Sequence, residues 1–272
     1  MRDIIITKAN GQKARFEPIK VEQTCIRAGA SSDVAKKIAR EIRARIYAGM
    51  TTKEIYRLVL KMLSQSAGIA VKQRYRLKES IMRMGPAGFS FENFIGRVLE
   101  NYGYRTCGIR DIIPGRCVSH EVDLFLESVK DGKRLLVECK YHNMSGRYTG
   151  LKESLYTHAR FLDLSDTFDH EMLACNTRVS EEVTIYANCI NQKILSWRYP
   201  PQGGLERLVE GKKLYPITIL GLTRHELEIF LRQNLMIAKD LLDVDVGDFA
   251  KKTGLTVKRI LALQSMTNRI IY

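Results

Sequence analysis

The 272-residue chain has no run of eighteen apolar residues, so no segment suggests a membrane-spanning helix. Its start, Met1-Arg2-Asp3-Ile4, lacks a secretory signal pattern, and a cytoplasmic location without membrane partners is expected. Six cysteines are scattered without the framework of a small disulfide scaffold, which favours reduced thiols. Repeats and low-complexity tracts are missing. So is a Walker-type Gly-rich lysine loop, and ATP hydrolysis is therefore not expected. The single tryptophan, Trp197, belongs with the scattered tyrosines in core rather than in a stacking platform for bases. With 45% hydrophobic and 27% charged residues, the chain has the composition of a globular protein, long enough for two or three domains.

What the chain does have is positive charge, unevenly spread. Residues 1–85 hold 19 Lys and Arg against 7 Asp and Glu, whereas residues 86–272 hold 25 against 23. A field concentrated in the first third attracts polyanions, either a nucleoside triphosphate or a nucleic-acid backbone.

Near the middle stand His120-Glu121-Val122-Asp123-Leu124-Phe125-Leu126-Glu127 and Leu135-Leu136-Val137-Glu138-Cys139-Lys140, with Asp131-Gly132 between them. Asp-Gly between apolar runs signals a hairpin. Strand side chains alternate, so Glu138 and Lys140 share a face. If Asp131 and Gly132 form a two-residue loop, Asp123 lies opposite Lys140 and Phe125 opposite Glu138. Asp123 is then diagonal to Glu138 on the same face.

Two carboxylates and a lysine make a poor core but a good cation site. Mg²⁺ usually takes one or two carboxylates and keeps waters for the rest of its shell. Such an ion polarises a phosphodiester and acidifies a bound water, while a nearby lysine orients that water or stabilises charge on the phosphate. Glu-x-Lys alone is common by chance. The upstream Asp on a paired strand is what distinguishes this one.

Gly88-Phe89-Ser90-Phe91-Glu92-Asn93-Phe94-Ile95, continuing to Asn101-Tyr102-Gly103-Tyr104, resembles the first helix and turn of Mrr-like restriction endonucleases in the PD-(D/E)xK nuclease superfamily. Asp123, Glu138 and Lys140 match the superfamily motif one by one, and Glu92 matches the acidic residue often found on its first helix. A helix near 148–163, a strand near 171–175, a helix near 179–188 and a strand over 192–197 continue the likeness. The resemblance implies an α/β nuclease core of order α-β-β-β-α-β with a mixed sheet over 88–200, acting on DNA with Mg²⁺ or Mn²⁺. Asp123 and Glu138 are then metal ligands, with the Cys139 carbonyl as a further one. Lys140 orients water and Glu92 assists. Where many relatives have a glycine-rich turn before the Asp, this chain has Val118-Ser119-His120-Glu121.

The first third has a different likeness. A short strand over 3–8 and a turn at Gly11 precede helical patterns near 18–29, 33–48, 51–65 and 69–83. Asp33 and either Thr51 or Thr52 are placed as caps. Thr7-Lys8-Ala9-Asn10-Gly11, Arg15-Phe16-Glu17 with Lys20, and Thr51-Thr52-Lys53-Glu54-Ile55 resemble the ATP-cone, a mainly helical nucleotide-sensing domain. By that resemblance Lys8 and Lys20 meet the phosphates of ATP or dATP, Gly11 shapes the loop, and Thr51 or Thr52 lies near the nucleotide. Ala9 stands where the family usually has Arg.

Met84-Gly85-Pro86-Ala87-Gly88 and Tyr199-Pro200-Pro201-Gln202-Gly203-Gly204 mark boundaries, giving segments 1–85, 88–200 and 205–272. The last is helical. A helix capped by Thr223, with Glu226 completing a capping box, is expected to reach about Leu242. The stretch from Val246 to Ile260, with Ala250 and Gly254, resembles a helix-turn-helix or a related helical hairpin, whose basic second helix could meet DNA phosphates. Cys117-x-x-His120 and Cys139-x-x-His142 have zinc-site spacing, but strand alternation points Cys139 away from Glu138 and into the core.

The expected function is a Mg²⁺-dependent DNA endonuclease controlled by ATP or dATP through the cone. Cutting both strands is simplest with a homodimer. The alternative is a nucleotide-responsive DNA-binding regulator whose nuclease fold is not catalytic.

Overall fold

The computed structural model describes residues 4–84 and 89–272, which fall into two compact units. One comprises the described residues up to Glu79 with Ile219–Gly221 and Leu242–Tyr272; the other comprises Ser80–Thr218 and Leu222–Leu241. Most of the expected boundary at 84–88 lies outside the described residues.

In the first unit, β1 (Ile5–Thr7) and β2 (Lys13–Arg15) form an antiparallel hairpin. Its turn needs a left-handed residue, and Gly11 supplies it at φ +81°. Helices α1 (Pro18–Arg27), α2 (Ser32–Arg45), α3 (Thr52–Ser66) and α4 (Gly68–Tyr75) follow, and α5 (Leu77–Met82) begins in this unit and ends in the next. Ser31, not Asp33, caps α2, its hydroxyl accepting from Val34 N at 3.4 Å. Asp33 sits in the first turn instead, where its charge complements the helix dipole. Thr51 caps α3 in a full capping box with Glu54. The single helix expected over 69–83 breaks at Arg76, whose N–H bonds back to Gln73 O at 2.9 Å while its guanidinium holds Glu79 at 2.7 Å. Val21, Cys25, Ile38, Ile42, Val59 and Leu63 are buried in the core between these helices.

In the second unit, α6 (Phe89–Glu100) precedes the sheet. Next come β3 (Tyr104–Pro114), β4 (Ser119–Ser128), β5 (Arg134–Lys140), β6 (Tyr148–Thr149), α7 (Leu151–Asp163), β7 (His170–Cys175), β8 (Arg178–Val179), α8 (Glu181–Ile190) and β9 (Lys193–Leu195). Five strands make one mixed sheet in the order β3-β4-β5-β7-β9; the first two pairings are antiparallel and the last two parallel. A parallel pair needs a crossover, and α7 supplies it between β5 and β7. The architecture is thus mixed α/β with a mixed five-stranded sheet and additional helical regions.

Helix α6 lies close to the sheet: a methyl added at Gly96 would come within 3.4 Å of Leu124. Phe91, Phe94 and Ile95 from this helix are among the most deeply buried side chains. Phe94 has 0% exposure, so Phe94→Ala should cost about 3–5 kcal/mol in a urea melt.

The hairpin that carries the acidic pair differs from expectation at its loop. Ser128 N donates to Lys133 O at 2.8 Å, enclosing four residues, 129–132, rather than Asp131 and Gly132 alone. The register becomes Leu124 with Val137 and Phe125 with Leu136. This is a slip of two residues from the expected pairing, and an even slip leaves every side chain on its face.

Beyond the sheet, α9 (Leu205–Lys212) and α10 (Arg224–Arg232) remain in the second unit. The Thr223–Glu226 capping box forms as expected, but α10 stops at Arg232, well short of Leu242. Asn234 adopts φ +58°, with its N–H bonded to Leu231 O and Leu235 N to Phe230 O. That pair of bonds is a Schellman stop, which Asn tolerates better than most residues. Helices α11 (Val246–Thr253) and α12 (Val257–Ile271) turn at Gly254, φ +72°, and belong to the first unit. There Ile260, Leu263, Ile270 and Ile271 are buried, and Arg74 donates both to Ile270 O (3.0 Å) and to Ala28 O (2.7 Å). Residues 205–272 are therefore divided between the two units rather than forming one segment. No helix among the described residues is long and apolar enough to cross a membrane.

Candidate functional site

Three neighbouring strands bring the charged residues into a row. In the β3–β4 ladder, Ile109 pairs with Leu124 and Asp111 with Val122, setting Arg110 across from Asp123. In β4–β5 the pairs run from Glu127–Arg134 to Leu124–Val137, so the next position sets Asp123 across from Glu138. The ladder ends there because the Asp123 carboxylate replaces a backbone acceptor: Cys139 N–H donates to Asp123 Oδ2 at 2.7 Å. Asp123 and Glu138 are thus directly opposed, not diagonal. Lys140 ends β5 two residues on, paired with Cys175 of β7.

These carboxylates strain against one another. Burial first, then the charge on Asp123, pushes Glu138 up to about 7, although Arg160 and Lys140 oppose the shift. Asp123 is also raised by burial, with the Cys139 N–H and two arginines pulling the other way. Glu92, in the first turn of α6, is pushed up to about 7, chiefly by burial with Asp123 adding to it. It is 8% exposed, and its Oε2 has no hydrogen-bond partner among the described residues. A buried acceptor left bare is costly, and clustered like charges add to that cost. A cation beside the Asp123–Glu138 pair would relieve their repulsion.

Among the described residues, no group of three or more His, Cys, Asp and Glu side chains is gathered closely enough to enclose an ion. Mg²⁺ needs only one or two carboxylates, and the opposed Asp123–Glu138 pair alone meets that modest demand. Cys139 itself is buried in the core with its thiol pushed well up by burial, so only its backbone is placed to serve a site.

Two residues absent from the sequence-based set complete the surroundings. Arg160 of α7 forms an ion pair with Glu138, donates to Tyr156 OH at 3.1 Å, and lies 4.8 Å above the Tyr156 ring. Arg110 donates to Glu121 at 2.7 Å from a left-handed backbone, φ +57°, an uncommon conformation outside glycine. The Tyr156-x-x-x-Arg160 spacing puts both on one helix face. Nothing local in the sequence ties that face to Glu138.

The rival zinc arrangement is broken up. His120 bonds Asp163 at 2.7 Å, and His142 bonds Thr149 at 3.0 Å. Cys117 is exposed while Cys139 is buried. Trp197 is buried, as expected.

The nucleotide-binding candidates lie in the first unit. Thr7 N donates to Met50 O at 3.0 Å, and Thr7 bridges Thr51, so Lys8 adjoins the start of α3 with Thr51 and Thr52. The Thr51 hydroxyl is engaged by Glu54 at 2.7 Å. Lys20 is exposed on α1 and pairs with Glu17 at 2.5 Å.

A mixed five-stranded sheet with crossover helices makes this a mixed α/β protein. Comparison with known proteins then places the chain more closely. It is 37% identical over 178 residues to an uncharacterized protein of Archaeoglobus fulgidus, a match spanning 65% of this chain and 99% of that protein. The model of the AF1548-like C-terminal domain matches residues 215–271. The crystal structure of AF1548, a protein of unknown function, superposes with a TM-score of 0.60 at 36% identity, covering 68% of this chain and 98% of that one. The chain belongs to the AF1548-like family.

Proposed function

We propose that this protein is a divalent-metal-dependent DNA endonuclease with a PD-(D/E)xK core like that of the Mrr-type restriction enzymes. The opposition of Asp123 and Glu138 on adjacent strands, with Lys140 two residues beyond, carries the proposal. Asp123 and Glu138 would hold Mg²⁺ or Mn²⁺, with the Cys139 carbonyl nearby. A bound ion there would supply Lewis acidity and an acidified water. Lys140 orients the attacking water and stabilises charge growing on the phosphate. Glu92, pushed up to about 7, is poised to exchange a proton near neutral pH. A plasmid-nicking assay with Mg²⁺ or Mn²⁺ tests the activity.

The first unit would bind ATP or dATP in the manner of an ATP-cone, at the edge shared by Lys8, Gly11, Thr51 and Thr52, with Lys20 from α1. Calorimetry should show binding of either nucleotide, weakened at least about tenfold in Lys8→Ala, because each phosphate-binding lysine makes a charge-assisted contact. No heat at millimolar nucleotide sinks this part.

The alternative is a nucleotide-responsive regulator that binds DNA without cutting it. Charge distribution favours it: the first unit holds 23 Lys and Arg against 10 Asp and Glu, leaving 21 against 20 for the sheet unit. Wild-type protein that binds DNA yet never nicks it would establish the regulator.

A further inference from the structure

The Arg160 guanidinium touches the very carboxylate that the proposed metal needs. Arg160 and Glu138 form an ion pair between α7 and β5, and both side chains are largely withdrawn from solvent, at 11% and 18% exposure. Such a pair differs from a loose surface pair, because neither group can exchange its partner for water without cost. Tyr156 and the charge of Asp123 also act on Arg160. Its guanidinium lies over the Tyr156 ring and donates to the Tyr156 hydroxyl, yet its buried Nε has no hydrogen-bond partner among the described residues. A guanidinium with an unused buried donor is incompletely satisfied where it stands.

We propose that Arg160 is a built-in counter-ion of the acidic centre, which competes with a divalent cation for Glu138 and is released toward a phosphate when the cation binds. This deepens the nuclease reading and rests on it for the identity of the ligands. Two cations cannot both sit against one carboxylate at close range without repelling. Entry of a divalent ion at Glu138 therefore frees the guanidinium. Tyr156, one helical turn back on α7, keeps the freed group over the sheet face through the ring and hydroxyl contacts. The fork of donors then matches a phosphodiester oxygen pair, a geometry that lysine cannot copy. Arg160 is in this sense a positioning residue in the free protein and a phosphate ligand in the complex. Its occupancy of Glu138 also lets the acidic centre fold without metal.

The test is Mn²⁺ titration of the full chain without DNA, followed by calorimetry or by the electron paramagnetic signal of free Mn²⁺. Arg160→Met removes the competitor and should tighten Mn²⁺ binding about tenfold, the scale on which groups touching a metal ligand alter affinity. Arg160→Lys keeps a competing charge and should restore affinity close to wild type. In the same proteins, affinity for a DNA duplex in Ca²⁺ should fall in Arg160→Met and recover only in part in Arg160→Lys. Mn²⁺ affinity that is unchanged or weaker in a folded Arg160→Met protein overturns the proposal, as does wild-type protein and Arg160→Met both failing to bind Mn²⁺. Should Arg160→Met fail to fold, Arg160→Gln serves with the same expected sign. The two readings fail separately: plasmid nicking with no tightening in Arg160→Met sinks the counter-ion alone. Tightened Mn²⁺ binding without any nicking sinks the nuclease and leaves the counter-ion standing.

Discussion

Asp123→Asn is expected to lower plasmid nicking in Mg²⁺ by about 10²–10³-fold or more, on the scale of losing one preorganised electrostatic group in an active site. The asparagine oxygen can still accept the 2.7 Å bond from Cys139 N–H, so the β4–β5 junction stays intact while one negative charge is removed. Lys140→Ala should cause a loss of similar size without weakening Mn²⁺ binding, since lysine is a donor and not a metal ligand. Circular dichroism and thermal melts of both variants should match wild type within a few degrees. Nicking by Asp123→Asn at the wild-type rate rules out the assigned centre. Absence of nicking by wild type on plain, methylated and branched DNA removes the enzyme altogether.

The second large effect is on stability, and it runs opposite to the usual behaviour of carboxylates. Glu92 and Glu138 are both pushed up to about 7 from an ordinary value of 4.5. The folded protein therefore holds protons that the unfolded chain has released between these values. Stability of the metal-free protein should fall as pH rises from about 4.5 through 7, because the native state binds more protons across that window. Raising a carboxyl by one pH unit corresponds to about 1.4 kcal/mol; the two shifts share the Asp123 charge as a cause and add to less than their sum, on the order of a few kcal/mol. The expected fall in Tm between pH 5 and pH 8 is roughly 5–10 °C for a folded unit of this size.

Glu92→Gln should raise Tm at pH 8 and leave it nearly unchanged at pH 5, since the substitution mimics the protonated side chain. Saturating Mn²⁺ should restore much of the loss in wild type at pH 8. Asp163 works in the other direction and in a different range. His120, together with the Cys117 and Val118 N–H groups, holds it well below the usual carboxylate range. Its stabilisation is complete above about pH 4 and lost only on stronger acidification, by the same linkage. A flat Tm from pH 5 to pH 8 in wild type would contradict the strained centre.

Several of these features were legible in the sequence because they depend on short-range chemistry. Strand alternation alone put Glu138 and Lys140 on one face, and the capping boxes at Thr51 and Thr223 follow from residues three positions apart. The hairpin was legible as a hairpin, but its register was not. Asp131-Gly132 favours a two-residue loop locally, whereas the chain closes over four residues and Asp131 accepts from Lys133 N at 3.3 Å within it. The error was even in number, so the acidic pair stayed on one face. Arg160 is not legible in the sequence, because its partner is 22 positions away on another element. Nor is Arg110, because a left-handed arginine leaves no mark there. The early stop of α10 came from a Schellman turn at Asn234, a residue whose helix-ending role depends on context.

The union of α11 and α12 with the N-terminal helices bears on how the chain is made. The sheet unit draws nearly all its strands and helices from one continuous stretch. It can gather its core as soon as that stretch leaves the ribosome. The other unit has its first portion synthesised before the sheet unit, and roughly 160 residues intervene before Leu242 opens the portion that carries Ile260 and Leu263, a loop whose closure carries an entropic cost. In that interval the basic helices exist without their final cover, which comes only with α11 and α12.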